Sequence, residues 1–162
     1  MNTKDIKDIA LKYLAYRDHT ISEMIKHLKE KEFNKIEIEK TIYELCELKY
    51  LDDYNYCRKY IPYSASKGKG KPRIKTELIQ KGVAPDIIDI AMEDEGEAGE
   101  ALSVSELNRA LQQGEKTIAG QEITEKLIAK VGRRLSTLGY TSDVVFKAIG
   151  ILMKKNRGIN DD

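Results

Sequence analysis

Residues 74–92 read Ile74-Lys-Thr-Glu-Leu-Ile-Gln-Lys-Gly-Val-Ala-Pro-Asp-Ile-Ile-Asp-Ile-Ala-Met92, and the spacing within this stretch decides the fold because it occurs three times. Ile74, Leu78, Val83, Ile88, Ala91 and Met92 align with Met24, Leu28, Phe33, Ile38, Thr41 and Ile42, and with Val131, Leu135, Tyr140, Val145, Ala148 and Ile149. All three sets share the offsets 4, 5, 5, 3, 1. The residue before the third position is Glu32, Gly82 or Gly139, and a glycine there suits the left-handed turn that closes a helix. Pro85 and Thr141 then mark the next helix start, as a first-turn proline and an N-cap. The copies are 50 and 57 residues apart, a length that holds three helices.

Outward from that stretch the helical period continues. Ile6, Ile9, Ala10, Tyr13 and Leu14 form one apolar face of a helix expected over Lys4 to Arg17. Thr20-Ile21-Ser22-Glu23 is a capping box that starts a second helix at Ile21, ending near Lys31. After a turn at 32–35 a third helix carries Ile38, Ile42, Leu45 and Cys46. In the second unit a helix is expected over Asp52 to Tyr63, with Asp52 as its cap, followed by a Ser, Gly and Lys loop from Ser64 to Lys71. In the third, Glu97 to Gln113 opens the unit, Gly114 to Gly120 interrupts it, and helices follow over Thr124 to Leu138 and Ser142 to Lys155. Three three-helix repeats result, at 4–48, 52–93 and 97–155. One such repeat buries too little surface to be stable alone, so neighbours must dock. The fold class is all-α: three tandem three-helix repeats forming an elongated, curved, right-angled helical array.

Composition narrows the function classes. The 162 residues carry 28 Lys and Arg against 27 Asp and Glu, and a net charge of +1 argues against a uniformly basic nucleic-acid coat. No run approaches the roughly 18 apolar residues of a membrane helix, and 1–5 lead into a charged helix, so a cytoplasmic protein without membrane association is expected. Cys46 and Cys57 belong to no CxxC pair and read as reduced, half-buried residues. His19 and His27 lack carboxylates at ligand spacing and read as two surface helix residues, so no metal site is expected. Lys67-Gly68-Lys69-Gly70-Lys71 lacks the phosphate-loop spacing and its Ser or Thr, which excludes nucleotide hydrolysis there. With no nucleophile and base pair and no cofactor loop, neither catalysis nor a cofactor is expected.

The charge is separated locally. Residues 64–76 hold Lys67, Lys69, Lys71, Arg73 and Lys75 and no acid, whereas 86–100 hold seven acids, from Asp86 to Glu100, and no base. Smaller basic groups are Lys130, Arg133 and Arg134 on the eighth helix, and Lys154, Lys155 and Arg157 near the end. Eight of nine tyrosines fall between Tyr13 and Tyr63, too many around the fourth helix for one face, so some must be exposed. They read as packing between repeats or as a stacking surface for a protein or a single strand.

Several motifs resemble the RecX regulatory family. Ala10-Leu11-Lys12-Tyr13-Leu14-Ala15-Tyr16-Arg17 followed by Thr20-Ile21-Ser22-Glu23-Met24 is similar to that family's opening. Tyr50-Leu51-Asp52-Asp53-Tyr54 resembles its junction between first and second repeats. Gly70-Lys71-Pro72-Arg73-Ile74-Lys75-Thr76-Glu77-Leu78, ending in Lys81-Gly82-Val83, resembles its second-repeat signature, and Leu138-Gly139-Tyr140-Thr141-Ser142-Asp143 matches the third repeat more loosely. The chain departs at Tyr56-Cys57, at His19 and in the acidic 93–100 segment. The resemblance implies a non-enzymatic modulator that binds the RecA recombinase filament on single-stranded DNA and inhibits ATP hydrolysis, strand exchange and co-protease activity. It implies three tandem three-helix repeats as well, and roles in DNA repair, recombination and the SOS response.

It identifies no contact residues. Charge assigns Lys67, Lys69, Lys71, Arg73 and Lys75 to phosphate or an acidic filament face, with Arg109, Lys130, Arg133 and Arg134 extending the strip if the seventh and eighth helices align with it. A monomer with weak direct DNA binding is expected. The alternative is a helix-turn-helix protein reading duplex DNA through 36–48, 85–92 and 142–155, although Asp86 and Asp89 suit phosphate poorly.

Overall fold

The computed structural model describes residues 5–97 and 101–160, with side chains over 5–95 and 106–155. Lys4, Glu100 and the side chains of Glu97 and Arg157, all invoked by the sequence reading, lie outside the described residues. Nine helices and no strand occur among those described: α1 (Ile6–Tyr16), α2 (Ile21–Glu30), α3 (Lys35–Glu47), α4 (Asp53–Ser66), α5 (Lys71–Gln80), α6 (Pro85–Glu97), α7 (Ala101–Ile118), α8 (Glu125–Thr137) and α9 (Ser142–Asn160). The all-α repeat follows the offsets.

Helix starts sit where side chains replace missing backbone partners. The Thr20 hydroxyl accepts from the Glu23 amide at 3.1 Å while the Glu23 carboxylate accepts from the Thr20 amide at 3.0 Å, completing the expected box. Asn34 and Glu37 repeat it on α3, Asp52 accepts from the Asn55 amide at 3.0 Å, and Thr141 accepts from the Val144 amide at 3.3 Å. The turns after α2, α5 and α8 are left-handed at one shared position: Glu32 has φ 67°, Gly82 φ 89° and Gly139 φ 93°.

Three expectations are corrected. The loop at 64–71 is shorter, because α4 continues to Ser66 through Pro62 and α5 begins at Lys71, which puts Lys71, Arg73 and Lys75 on a helix. No break occurs at Gly114, for α7 runs on to Ile118; an added Cβ at Gly114 would meet Leu152 Cδ1 at 2.6 Å, so that glycine serves packing. Glu97 lies in α6, so the acidic stretch 93–97 is helical.

The chain forms two compact units, 1–60 with 77–91 and 61–76 with 92–162, so α4, α5 and α6 each contribute to both. The first has a core of Ala10, Met24, Leu28, Ile38, Leu45 and Leu51. The second has Ala110, Val131, Leu135, Leu138, Tyr140, Val145, Ala148 and Leu152. Both cores contain the repeated positions.

Within each unit two successive repeats meet through the same device. In the first unit the Thr20 hydroxyl, at the start of α2, donates to the Lys81 carbonyl at 2.7 Å, and Ser22 occupies the space a side chain on Gly82 would need. In the second unit the Gly70 amide, at the start of α5, donates to the Leu138 carbonyl at 2.9 Å, and Arg73 fills the space beside Gly139. Thr20 and Gly70 are 50 residues apart, Lys81 and Leu138 are 57 apart, so these are equivalent bonds.

Candidate interface on the second unit

All nine residues assigned to the basic strip fall in the second unit, which carries 15 Lys and Arg against 12 Asp and Glu, whereas the first carries 13 against 15. The segment 67–73 is fastened within that unit at four points. Besides the Gly70 bond, the Lys71 amide donates to Glu106 Oε1 at 2.9 Å, Tyr140 donates its phenol proton to the Gly68 carbonyl at 2.6 Å, and Arg73 Nη1 donates to the Thr137 carbonyl at 2.9 Å.

These contacts explain how a basic helix start is tolerated. Cations near a helix N-terminus oppose its dipole, by about 0.3–1 kcal/mol each when exposed. The position of the capping acid Glu23 in the first repeat is taken by Arg73 in the second. The acid that remains is Glu106 from α7, 7% exposed, which accepts from the Lys71 amide as Asp53 accepts from the Ile21 amide in the first repeat. Arg73 instead lays its guanidinium on the C-terminal carbonyl of α8, where a cation is favoured.

Residue by residue, the strip is uneven. Lys67 is exposed and stands over the Tyr63 ring, its Nζ 5.4 Å from the centroid. Lys69, Lys71, Arg73 and Lys75 are half-buried. Lys130, Arg133 and Arg134 are exposed on α8, one stripe at i, i+3 and i+4, and Thr137, whose carbonyl holds Arg73, is one turn beyond Arg133 on that helix. The α5 start and the α8 stripe are therefore brought together. Arg109 is half-buried and donates to the Tyr140 phenol, so it supports the clamp on Gly68 from inside. Burial raises the Tyr140 pKa, against the Arg109 charge, and keeps the phenol protonated as donor.

The first unit holds features the sequence reading missed. His19 is 5% exposed and lies between α1 and α2, which corrects its reading as a surface helix residue. Tyr13 is sandwiched between the His19 ring at 3.7 Å and the His27 ring at 3.8 Å, with interplanar angles of 10° and 3°. Burial lowers the His19 pKa, with the Arg17 charge adding to the shift. A Tyr six residues before a His across a helix end was the available signal. Cys57 is fully buried, not half-buried, and its thiol is pushed up to about 11 by burial. Cys46 is half-buried as expected. Tyr16, Tyr43, Tyr50 and Tyr63 are the exposed tyrosines. An apolar groove of about 660 Å³ opens between α2 and α3, lined by Ile25, Phe33, Ile42 and Tyr43 among others. Among the described residues no group of three or more His, Cys, Asp and Glu could hold a metal ion, and no helix is long and apolar enough to cross a membrane.

Known proteins place this arrangement. A family model described as the first three-helix domain of RecX matches residues 7–45, and one described as the second matches 52–92. The chain is 33% identical over 147 residues to a regulatory protein RecX of Vibrio campbellii, covering 91% of each chain. It is 30% identical to one of Legionella pneumophila, over 86% of this chain and 89% of the relative. Against a regulatory protein RecX of Lactobacillus delbrueckii it is 30% identical, but it spans only 46% of that longer protein. The crystal structure of RecX from Lactobacillus salivarius superimposes with a TM-score of 0.78 at 23% identity, over 91% of this chain and 94% of that one. A second crystal structure of a regulatory protein RecX gives 0.71 at 25%, over 86% and 67%. With the repeat offsets, the fold and these identities in agreement, the chain belongs to the RecX family of regulatory proteins.

Proposed function

We propose that this chain is a non-enzymatic cytoplasmic regulator that binds the RecA recombinase filament on single-stranded DNA and inhibits its ATPase, strand exchange and co-protease activities. It thereby modulates homologous recombination, DNA repair and the SOS response. Family membership supports the regulatory class, since its relatives are named regulatory proteins. The observation that carries the contact surface is the clamped start of α5. Four hydrogen bonds hold 67–73 beside the α8 stripe, so Lys67, Lys69, Lys71, Arg73 and Lys75 are presented with Lys130, Arg133 and Arg134 by a fixed backbone. Less conformational freedom is lost when such a surface meets a polyanion. Arg109 serves it as a positioning residue. The chain works as a monomer built of three three-helix repeats.

The test is binding of the purified chain to recombinase filaments at two salt concentrations, with ATP hydrolysis followed in parallel. Binding at low salt that weakens as salt rises, with loss of hydrolysis, is expected. No binding at low salt, or unchanged hydrolysis, would sink the proposal. The triple charge reversal K67E/K69E/K71E should cut filament binding at least tenfold; an unchanged affinity would reduce the basic segment to a solvated connector. The competing helix-turn-helix reading has Asp86 and Asp89 exposed on α6 against it, and would be revived by a sequence-specific shift of duplex DNA without recombinase.

A further inference from the structure

The third helices of the three repeats, α3, α6 and α9, present equivalent exposed positions, and their chemistry diverges. Position 146 is Phe, where α6 has Asp89 and α3 has Glu39. Position 150 is Gly, where α6 has Glu93 and α3 has Tyr43. Position 154 is Lys, where the sequence has Glu97 and Glu47. At these three positions the acids of the first two repeats have become apolar, absent or basic in the third, whereas Asp86 keeps an acidic counterpart in Asp143. From Glu125 to Lys155, α8 and α9 hold seven Lys and Arg against two acids.

Two details of α9 are unexplained by its own packing. Phe146 is 76% exposed, an aromatic ring left in water on an ordered helix. Gly150 lies one turn further along the same face, and an added Cβ there would meet nothing within 4 Å. A mid-helix glycine loses about 0.5–1 kcal/mol against alanine. Gly114 on α7 has its reason in Leu152, whereas Gly150 has none among the described residues. Lys147 and Lys154 flank the pair, and the Lys147 ion pair with Asp143, at 3.1 Å between exposed groups, is weak enough to exchange.

We infer that the outward face of α9 binds single-stranded DNA: the Phe146 ring stacks on an unpaired base, Gly150 lets the sugar-phosphate chain approach the helix backbone, and Lys147 and Lys154 take flanking phosphates. A strand with unpaired bases fits better than a duplex, because an exposed ring needs a free base face and the bases of a duplex cover one another. The cationic flanks and the loss of acids at three equivalent positions supply the charge complementarity. The inference extends the proposed filament contact but does not depend on recombinase.

Its test uses the full chain and a fluorescently labelled oligothymidylate, with a labelled duplex alongside. Phe146→Ala should weaken single-strand binding about fivefold or more while Phe146→Trp retains it. Gly150→Leu should weaken it as well while raising the thermal midpoint, which separates lost approach from lost folding. Unchanged single-strand affinity in F146A and G150L would overturn the inference. So would equal loss on duplex, or a loss confined to recombinase-filament binding, which would make the face a protein contact. A Phe146-dependent single-strand affinity in a chain that leaves recombinase ATPase untouched would uphold this inference while the proposed function failed.

Discussion

The turn after α2 and the turns after α5 and α8 adopt the same left-handed conformation, yet the first uses Glu32 and the others use Gly82 and Gly139. Backbone alone would favour glycine at all three, since a side chain in this region loses about 1 kcal/mol or more. The difference lies in what touches the turn. Glu32 is exposed, whereas Ser22 sits against Gly82 and Arg73 against Gly139, each from the start of the preceding repeat's second helix. A glycine at this position therefore marks a turn on which another repeat docks.

Substitutions at these positions test that contrast directly. The largest effect is expected for Gly139→Ala, which adds overlap with Arg73 to the backbone strain and should lower unfolding stability by about 3 kcal/mol in denaturant titration. A loss under 1 kcal/mol would mean the docking contact is loose. Glu32→Gly should move the other way and raise stability by up to about 1 kcal/mol, since relief of the strained conformation outweighs the added freedom of the unfolded chain. A destabilised E32G would show that the Glu32 side chain matters to the turn.

The smallest effect separates the first repeat's own lock, the His19–Tyr13–His27 stack, from the glycine turns. Burial holds the His19 pKa below its ordinary value, so the unfolded chain takes up the proton first. The stability this group contributes is complete well above about pH 6.5 and declines as pH falls through that value toward the folded pKa. Glu23 adds a separate loss at lower pH: burial works against its charge, but the Thr20 amide and Arg17 outweigh it and hold the carboxyl below its ordinary range. Chemical denaturation of the wild type and His19→Gln between about pH 7 and 5.5 should show a steeper fall in stability in the former. Equal slopes would assign the titration elsewhere.

Much of the fold was legible because helix period, caps and repeat offsets are local properties. Thr20, Asp52 and Thr141 start helices where their chemistry says they should. The errors came where a distant segment overrides a local preference. Ser64 to Ser66 stay helical and 67–70 form a tight turn that Tyr140 and Leu138 hold, and Gly114 is a glycine inside a helix because Leu152 takes the space of a side chain there. The basic candidates were legible as charge. Their unequal exposure was not, nor was the role of Arg109, because partners such as Thr137, Glu106 and Tyr140 lie far off in sequence. His19 was misread for the same reason: only the folded α1 places Tyr13 across it.

The Glu106 carboxylate at the start of α5 has a consequence for selectivity. An open helix start with glycines and lysines beside it invites phosphate, sulfate or a nucleotide. Here an acid of the chain already occupies the Lys71 amide, so a small free anion must compete with a tethered, preorganised rival. A long polyanion bound as proposed would face no such competitor, because it would engage lysine side chains outside the cap and add many weak contacts. Cellular phosphate and nucleotides would then leave the basic surface vacant for a polymer.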